Sequence, residues 1–285
     1  EGHFKARDIV QEDPSTIFSE LGIEGPVDGQ VDVIVGGPPC QAFARVGRAK
    51  LREQAHRRSE DTADFAFLVD GRVSLWQRYV HFIRETKPIA LLMENVPDIL
   101  NHGGKNVADL VAESLKAEGY NVRYTLLNAA WYGVPQIRER MILIGYHQDL
   151  EIEPVFPKPN HFLILPVGYE GSKATARKII ITKGSSYHRW IDNPTDSMPK
   201  TTTAGQALVA LPEIRALELL RDGKIRRGMK NPAEKVNYTG SAPSTDWSRL
   251  IRECCFGLVP HHVNSNNSLP NELSHGKAVI SIGRS

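Results

Sequence analysis

The run Val31-Asp32-Val33-Ile34-Val35 leads directly into Gly36-Gly37-Pro38-Pro39-Cys40-Gln41. A short apolar run that stops at glycines and prolines reads as a buried strand ending in a loop. A second such run, Ile89-Ala90-Leu91-Leu92-Met93, stops at Glu94-Asn95-Val96-Pro97. Both are apolar nearly throughout, which predicts strands covered on both faces, as in a helix-flanked parallel sheet. Between them Leu75, Tyr79, Phe82 and Ile83 fall at i, i+4, i+7 and i+8, the spacing of one helix face. A second helix is predicted over Val107–Glu118, with Leu110, Val111 and Leu115 on its apolar face and Gly119 as its stop. Strands alternating with helices imply right-handed crossovers and an α/β fold.

Two further runs, Val122–Leu127 and Met141–Tyr146, break the alternation. Gly133 and Pro135 interrupt the stretch between them, which has no helical period. Parallel neighbours need a longer crossover, so this last pair is predicted to be antiparallel. Its connecting loop then lies on the rim where the first two strands end. Ligands bind at that rim in open α/β sheets. Three loops therefore aim at one crevice: the one carrying Cys40, the one carrying Glu94, and Gly133-Val134-Pro135-Gln136-Ile137-Arg138-Glu139-Arg140.

The 285 residues carry 41% hydrophobic and 24% charged side chains, ordinary values for a globular chain with a sizeable core. No apolar run approaches the ~20 residues of a membrane-spanning helix. Three cysteines, two of them adjacent at Cys254-Cys255, make no disulfide framework and fit a reducing compartment. The net charge of +2 permits nucleic acid without demanding it. No Gly-x-Gly-x-x-Gly follows a strand, which disfavours a dinucleotide-binding dehydrogenase. After Tyr146 the texture changes. Pro154, Pro157 and Pro159 punctuate a linker-like run, and Ser, Thr, Asn and Pro become frequent. Helical spacing recurs at Ala204–Leu211 and Glu213–Arg221, and a boundary is expected near residue 160. Cys254-Cys255 and His261-His262 lack the partners of a zinc pattern and read as structural.

Taken in order and at these separations, GGPPCQ, MENV and GVPQIRER resemble the DNA (cytosine-5)-methyltransferases. The likeness covers most of residues 8–146. Asp8-Ile9 resembles the family's cofactor-adenine segment, and Leu75 falls on a cofactor-contacting leucine. Phe156-Pro157-Lys158-Pro159 and Gly205–Pro212 resemble segments that follow the catalytic core. The resemblance implies a Rossmann-like class I methyltransferase fold, mostly parallel with an antiparallel last hairpin, over residues 1–160. Residues 161–285 would begin a target-recognition region.

The implied chemistry explains the residue types. Carbon 5 of cytosine is a poor nucleophile until a thiolate adds at carbon 6, the role the resemblance gives Cys40. Charge then develops toward N3 and O2. Glu94 is placed to protonate N3 and Arg140 to stabilise O2. S-adenosylmethionine is the implied methyl donor, and no metal is implied. A base inside a duplex must be flipped out, so double-stranded DNA is the implied partner, held by Gln41, Arg45, Gln136 and Arg138. The basic stretch Arg45, Arg48, Lys50, Arg52, Arg57, Arg58 matches the family's mobile catalytic loop. A second basic run, Arg221, Lys224, Arg226, Arg227 and Lys230, lies where the recognition region begins.

The family's opening Phe-x-Gly-x-Gly loop and its last two motifs have no counterpart between Glu1 and Ser285, so a methyltransferase lacking both termini is expected. Little activity alone, a complementing methyltransferase chain or a cognate restriction endonuclease, and a bacterial cytoplasmic setting beside the nucleoid follow from that reading. Ala44 replaces the family's usual serine. The competing readings are a tRNA-directed cytosine-5 enzyme and a non-catalytic DNA-binding remnant.

Overall fold

A computed structural model describes residues 7–38, 75–102, 104–165, 169, 171–209, 218, 221–223, 244–250 and 278–282. Helix α1 (Pro14–Glu20) precedes strand β1 (Val31–Gly36). Helix α2 (Leu75–Thr86) leads to β2 (Ala90–Asn95), a 3-10 turn (Pro97–Asn101), α3 (Val107–Ala117) and β3 (Tyr120–Asn128). A second 3-10 turn (Ala129–Tyr132) connects to β4 (Glu139–His147), followed by α4 (Gly171–Lys183), α5 (Ala204–Leu208) and β5 (Ala278–Ile282). The sheet order is β3-β4-β2-β1-β5. β1 pairs in parallel with β2 and β5, whereas β4 is antiparallel to both β2 and β3. Four strands therefore run one way and β4 the other, a mixed α/β architecture with the expected antiparallel last hairpin.

The expectation of strands buried on both faces is corrected. β2 alternates in burial, with Leu91, Met93 and Asn95 buried and Leu92 and Glu94 half-exposed. The described helices explain this, since α2, α3 and α4 contribute to one core cluster with Leu91, Met93, Met141 and Leu143. Tyr79, Phe82 and Ile83 of α2 enter that core, each burial stabilising by roughly 1.5–3 kcal/mol. α3 buries Val107, Ala108, Val111, Ala112 and Leu115. Leu110, expected on the same face, is instead 40% exposed. Its 100° rotation from Val111 carries it off the stripe. Asn106 caps α3, and Gly119 takes φ +89° as the chain leaves it.

The chain beyond residue 160 packs against these elements. α4 lies on the Pro97–Asn101 turn and buries Ala176 and Ile180. Tyr124 accepts the Arg189 amide and donates its own to Tyr187, so residues 187–189 cover the outer edge of β3. Of the first expected late helix, Ala204–Leu208 is helical, opened by a Thr203–Gln206 capping box, and residues 210–211 lie outside the described residues. Most of Glu213–Arg221 lies outside the described residues. No helix among the described residues is long and apolar enough to cross a membrane.

Candidate active site

Because β1 and β2 are parallel and β4 is antiparallel, the ends of β1 and β2 and the start of β4 share one rim. Glu94 sits on the half-exposed sheet face, its side chain 41% exposed. Arg140 Nε stands 2.6 Å from Glu94 Oε1, and Arg138 Nη2 stands 3.8 Å from the same oxygen. Arg140 is the better covered guanidinium at 25% exposure, against 47% for Arg138. Gln136 is exposed on the loop leading to them.

The β1 loop reaches this carboxylate from the other side. A Cβ on Gly37 would stand 3.6 Å from Glu94 Oε2. Asn95, buried at the end of β2, donates its side-chain amide to Pro38 O at 3.1 Å and accepts the Val96 N–H at 2.9 Å. One side chain thus ties the loop that runs toward Cys40 to the loop that carries Glu94. Cys40, Gln41 and Arg45 themselves, with the basic stretch to Arg58, lie outside the described residues. So do Cys254-Cys255 and His261-His262.

The loop carrying the arginines is gripped from behind by residues with no local sequence signal. Thr201 Oγ1 donates to Ala130 O at 2.5 Å, and the Asn160 and His161 amides both donate to Trp131 O at 3.0 Å. Trp247 Nε1 donates to Gly133 O at 2.8 Å. Gly133 adopts φ +82°, and the His161 ring packs directly over it. An open cleft of about 560 Å³ lies behind this turn, between Gly133, His161, Thr202 and Trp247. Glu94 and the two arginines are not among its walls.

Asp8 and Ile9 are tied to α2 by Arg78, whose Nε donates to Ile9 O at 2.8 Å. Leu75 opens α2, and Asp8 Oδ1 accepts the Val10 N–H at 3.0 Å. Among the described residues, no hydrogen bond engages the second Asp8 oxygen or the Ile9 N–H. An acceptor next to a donor complements the 6-amino and N1 edge of adenine, so this chain's residues fit that end of S-adenosylmethionine. Arg78, and then His81, hold the Asp13 carboxyl below the usual carboxylate range. Among the described residues no group of three or more His, Cys, Asp or Glu is placed to hold a metal ion.

The class these features define is a mixed α/β protein with an acid and two guanidiniums at the carboxyl rim of its sheet. Residues 4–207 match the C-5 cytosine-specific DNA methylase family, and the chain belongs to it. The type II methyltransferase M.AgeI of Thalassovita gelatinovora is 30% identical over 250 residues, covering 87% of this chain and 47% of that protein. M1.HphI of Haemophilus parahaemolyticus is 31% identical over 159 residues, covering 56% and 38%. The chain spans less than half the length of these relatives. A solved variant of Spodoptera frugiperda DNMT2 aligns at a TM-score of 0.36 with 23% identity, covering 56% of this chain and 40% of that one.

Proposed function

We propose that the chain transfers a methyl group from S-adenosylmethionine to carbon 5 of a flipped-out cytosine in double-stranded DNA. The observation that carries the reading is the Glu94 carboxylate, 2.6 Å from Arg140 and beside the backbone that runs toward Cys40. In this reading the Cys40 thiolate adds at carbon 6, and the displaced electron pair moves toward N3 and O2. Glu94 holds the proton delivered to N3. Arg140 faces O2, where a fixed guanidinium stabilises developing charge without reorganisation. S-adenosylmethionine, when bound by Asp8, Ile9 and Leu75, supplies an electrophilic methyl on a sulfonium. Loss of the carbon-5 proton then re-forms the double bond and expels the cysteine. Gln41, Arg45, Gln136 and Arg138 hold the strand whose base is extruded, at a cost of a few kcal/mol.

The sheet and its crossovers support a Rossmann-like class I methyltransferase domain over residues 1–160. Residues 161–285 are assigned to the start of a target-recognition region, although α4 and β5 of that segment pack into the methyltransferase core and sheet. Residues 160–161, Thr201 and Trp247 buttress the arginine loop. The relatives' type II designation supports a restriction–modification setting in the bacterial cytoplasm, with a cognate endonuclease as functional counterpart.

The test uses duplex DNA carrying 5-fluorocytosine. Fluorine at carbon 5 cannot leave as a proton, so the cysteine adduct accumulates and survives a denaturing gel. A methyl-donor-dependent adduct that disappears in Cys40→Ser is expected. An adduct that persists in Cys40→Ser, or none with the parent chain, would refute the assignment.

A further inference from the structure

We infer that Arg78 is a positioning residue for cofactor recognition: it fixes the turn that presents the Asp8 carboxylate and the Ile9 N–H to an adenine edge. The inference rests on the reading of Asp8 and Ile9 as the adenine contact. It assigns a role to a side chain that the sequence motifs leave unused.

Arg78 stands one turn after Leu75 on α2, so the two share a helix face. Its guanidinium spans the turn. Nε donates to Ile9 O at 2.8 Å, and Nη2 donates to Glu12 O at 3.0 Å and to Asp13 Oδ1 at 2.8 Å. His81 Nε2 lies 3.0 Å from that same Asp13 oxygen, which holds the carboxylate in place for Arg78. Inside the turn, Asp8 O accepts the Gln11 and Glu12 amides, both at 3.0 Å. In a trans peptide the N–H points opposite the carbonyl of the same plane. Since the Asp8 carbonyl is directed into the turn, the Ile9 N–H is directed out of it.

Arg78 therefore clamps the two ends of a short arc whose outer side carries one acceptor and one donor. Removing it leaves that arc with the two bonds to Asp8 O, the bond from the Val10 N–H to Asp8 Oδ1 and the Arg7–Glu12 pair, none of which anchors it to α2. Lysine keeps the charge but is a point donor, unable to reproduce a fork that spans two carbonyls and a carboxylate. The same helix face then offers Leu75 to the apolar face of the base, so one helix sets both contacts.

The experiment compares the full chain with Arg78→Lys and Asp13→Asn in two measurements. Hydrogen exchange without ligand should quicken at the Gln11 and Glu12 amides by about tenfold or more in both variants, with α3 and β3 unchanged. Calorimetric titration with S-adenosylmethionine should show Kd rising about tenfold, while duplex DNA affinity stays within about twofold. Unchanged exchange at those amides overturns the inference. So does an unchanged Kd in a parent chain that binds, or an equal loss of both affinities, which would report general damage. A parent chain that binds no S-adenosylmethionine overturns the cofactor reading itself, and the inference falls with it.

Discussion

Replacing Gly133 by alanine tests whether the arginine loop is held as the structure describes. Two costs can be separated. A Cβ at φ +82° meets the left-handed penalty of roughly 1–2 kcal/mol. It would also stand 2.8 Å from His161 Cε1 and 3.1 Å from both ring nitrogens. That ring cannot simply swing away, because Nδ1 is 2.8 Å from Asn160 Oδ1 and the His161 amide is bonded to Trp131 O. Forcing it aside adds roughly 1–3 kcal/mol, as overpacking does elsewhere. Alanine restricts the unfolded chain and returns roughly 0.4–1 kcal/mol. The expected net loss is about 2–4 kcal/mol in urea denaturation. In a His161→Ala background the steric part disappears, and the same substitution should cost only about 1 kcal/mol. Equal losses in the two backgrounds would refute the packing of His161 on Gly133. A loss below about 0.5 kcal/mol in the parent would refute the left-handed turn as well.

Asn95→Ala removes the amide that holds Pro38 O and the oxygen that accepts the Val96 N–H, inside a buried site. It should cost about 1–3 kcal/mol of stability and slow fluorocytosine adduct formation at least about tenfold; a full adduct rate would deny Asn95 its link to the cysteine loop. Arg140→Lys keeps the charge but loses the guanidinium Nε that stands against Glu94, and the adduct rate should fall by about 10²–10³ with DNA affinity nearly unchanged. Matching losses in rate and affinity would make Arg140 a DNA contact only. His188 is held down to about 4 by burial, then by Arg177 and Arg189. The unfolded chain therefore takes up that proton first, near pH 6.5, so stability present above pH 6.5 is lost as pH falls toward 4, by about 2–3 kcal/mol. His188→Phe should flatten this slope in acid-range denaturation series, and an unaltered slope would remove His188 as its source.

The elements that position the rim were legible because their signals are local. Val31–Val35 and Ile89–Met93 are apolar runs closed by Gly-Pro and Asn-Val-Pro breakers, and each falls within a residue or two of its observed strand. The antiparallel β3–β4 pair followed from the absence of a crossover helix between them. α4 was not legible. Ile179-Ile180-Ile181 is a β-branched run that favours a strand, and Ile181 remains 69% exposed. Ala176 and Ile180 against the Pro97–Asn101 turn decide the helix, and that contact is tertiary. α1 did carry a signal, Asp13-Pro14, although the Asp13 carboxylate goes to Arg78 and His81 rather than to the helix amides. The grip on the arginine loop was beyond sequence reading. Thr201 reaches back 71 residues to Ala130 O and Trp247 reaches back 114 to Gly133 O, and no periodicity spans such distances.

The acid–guanidinium pair itself follows from register. Glu94 is directly opposite Ile142 across the β2–β4 ladder, and Arg140 is two residues further along the same strand. Side chains two apart on a strand share a face, so Arg140 is the diagonal neighbour of Glu94, within reach of a long side chain. Leu91, Met93, Met141 and Leu143 occupy the alternate positions and fill the core. A slip of one residue in β4 would move Arg140 into that core and Met141 and Leu143 out of it. The pair is therefore enforced by the same hydrophobic alternation that holds the sheet together. Its convergence with Pro38 requires only the one added bond from Asn95. That division of labour explains why Glu94 and the arginines Arg138 and Arg140, more than forty residues further along the chain, could be placed at one rim from strand order alone.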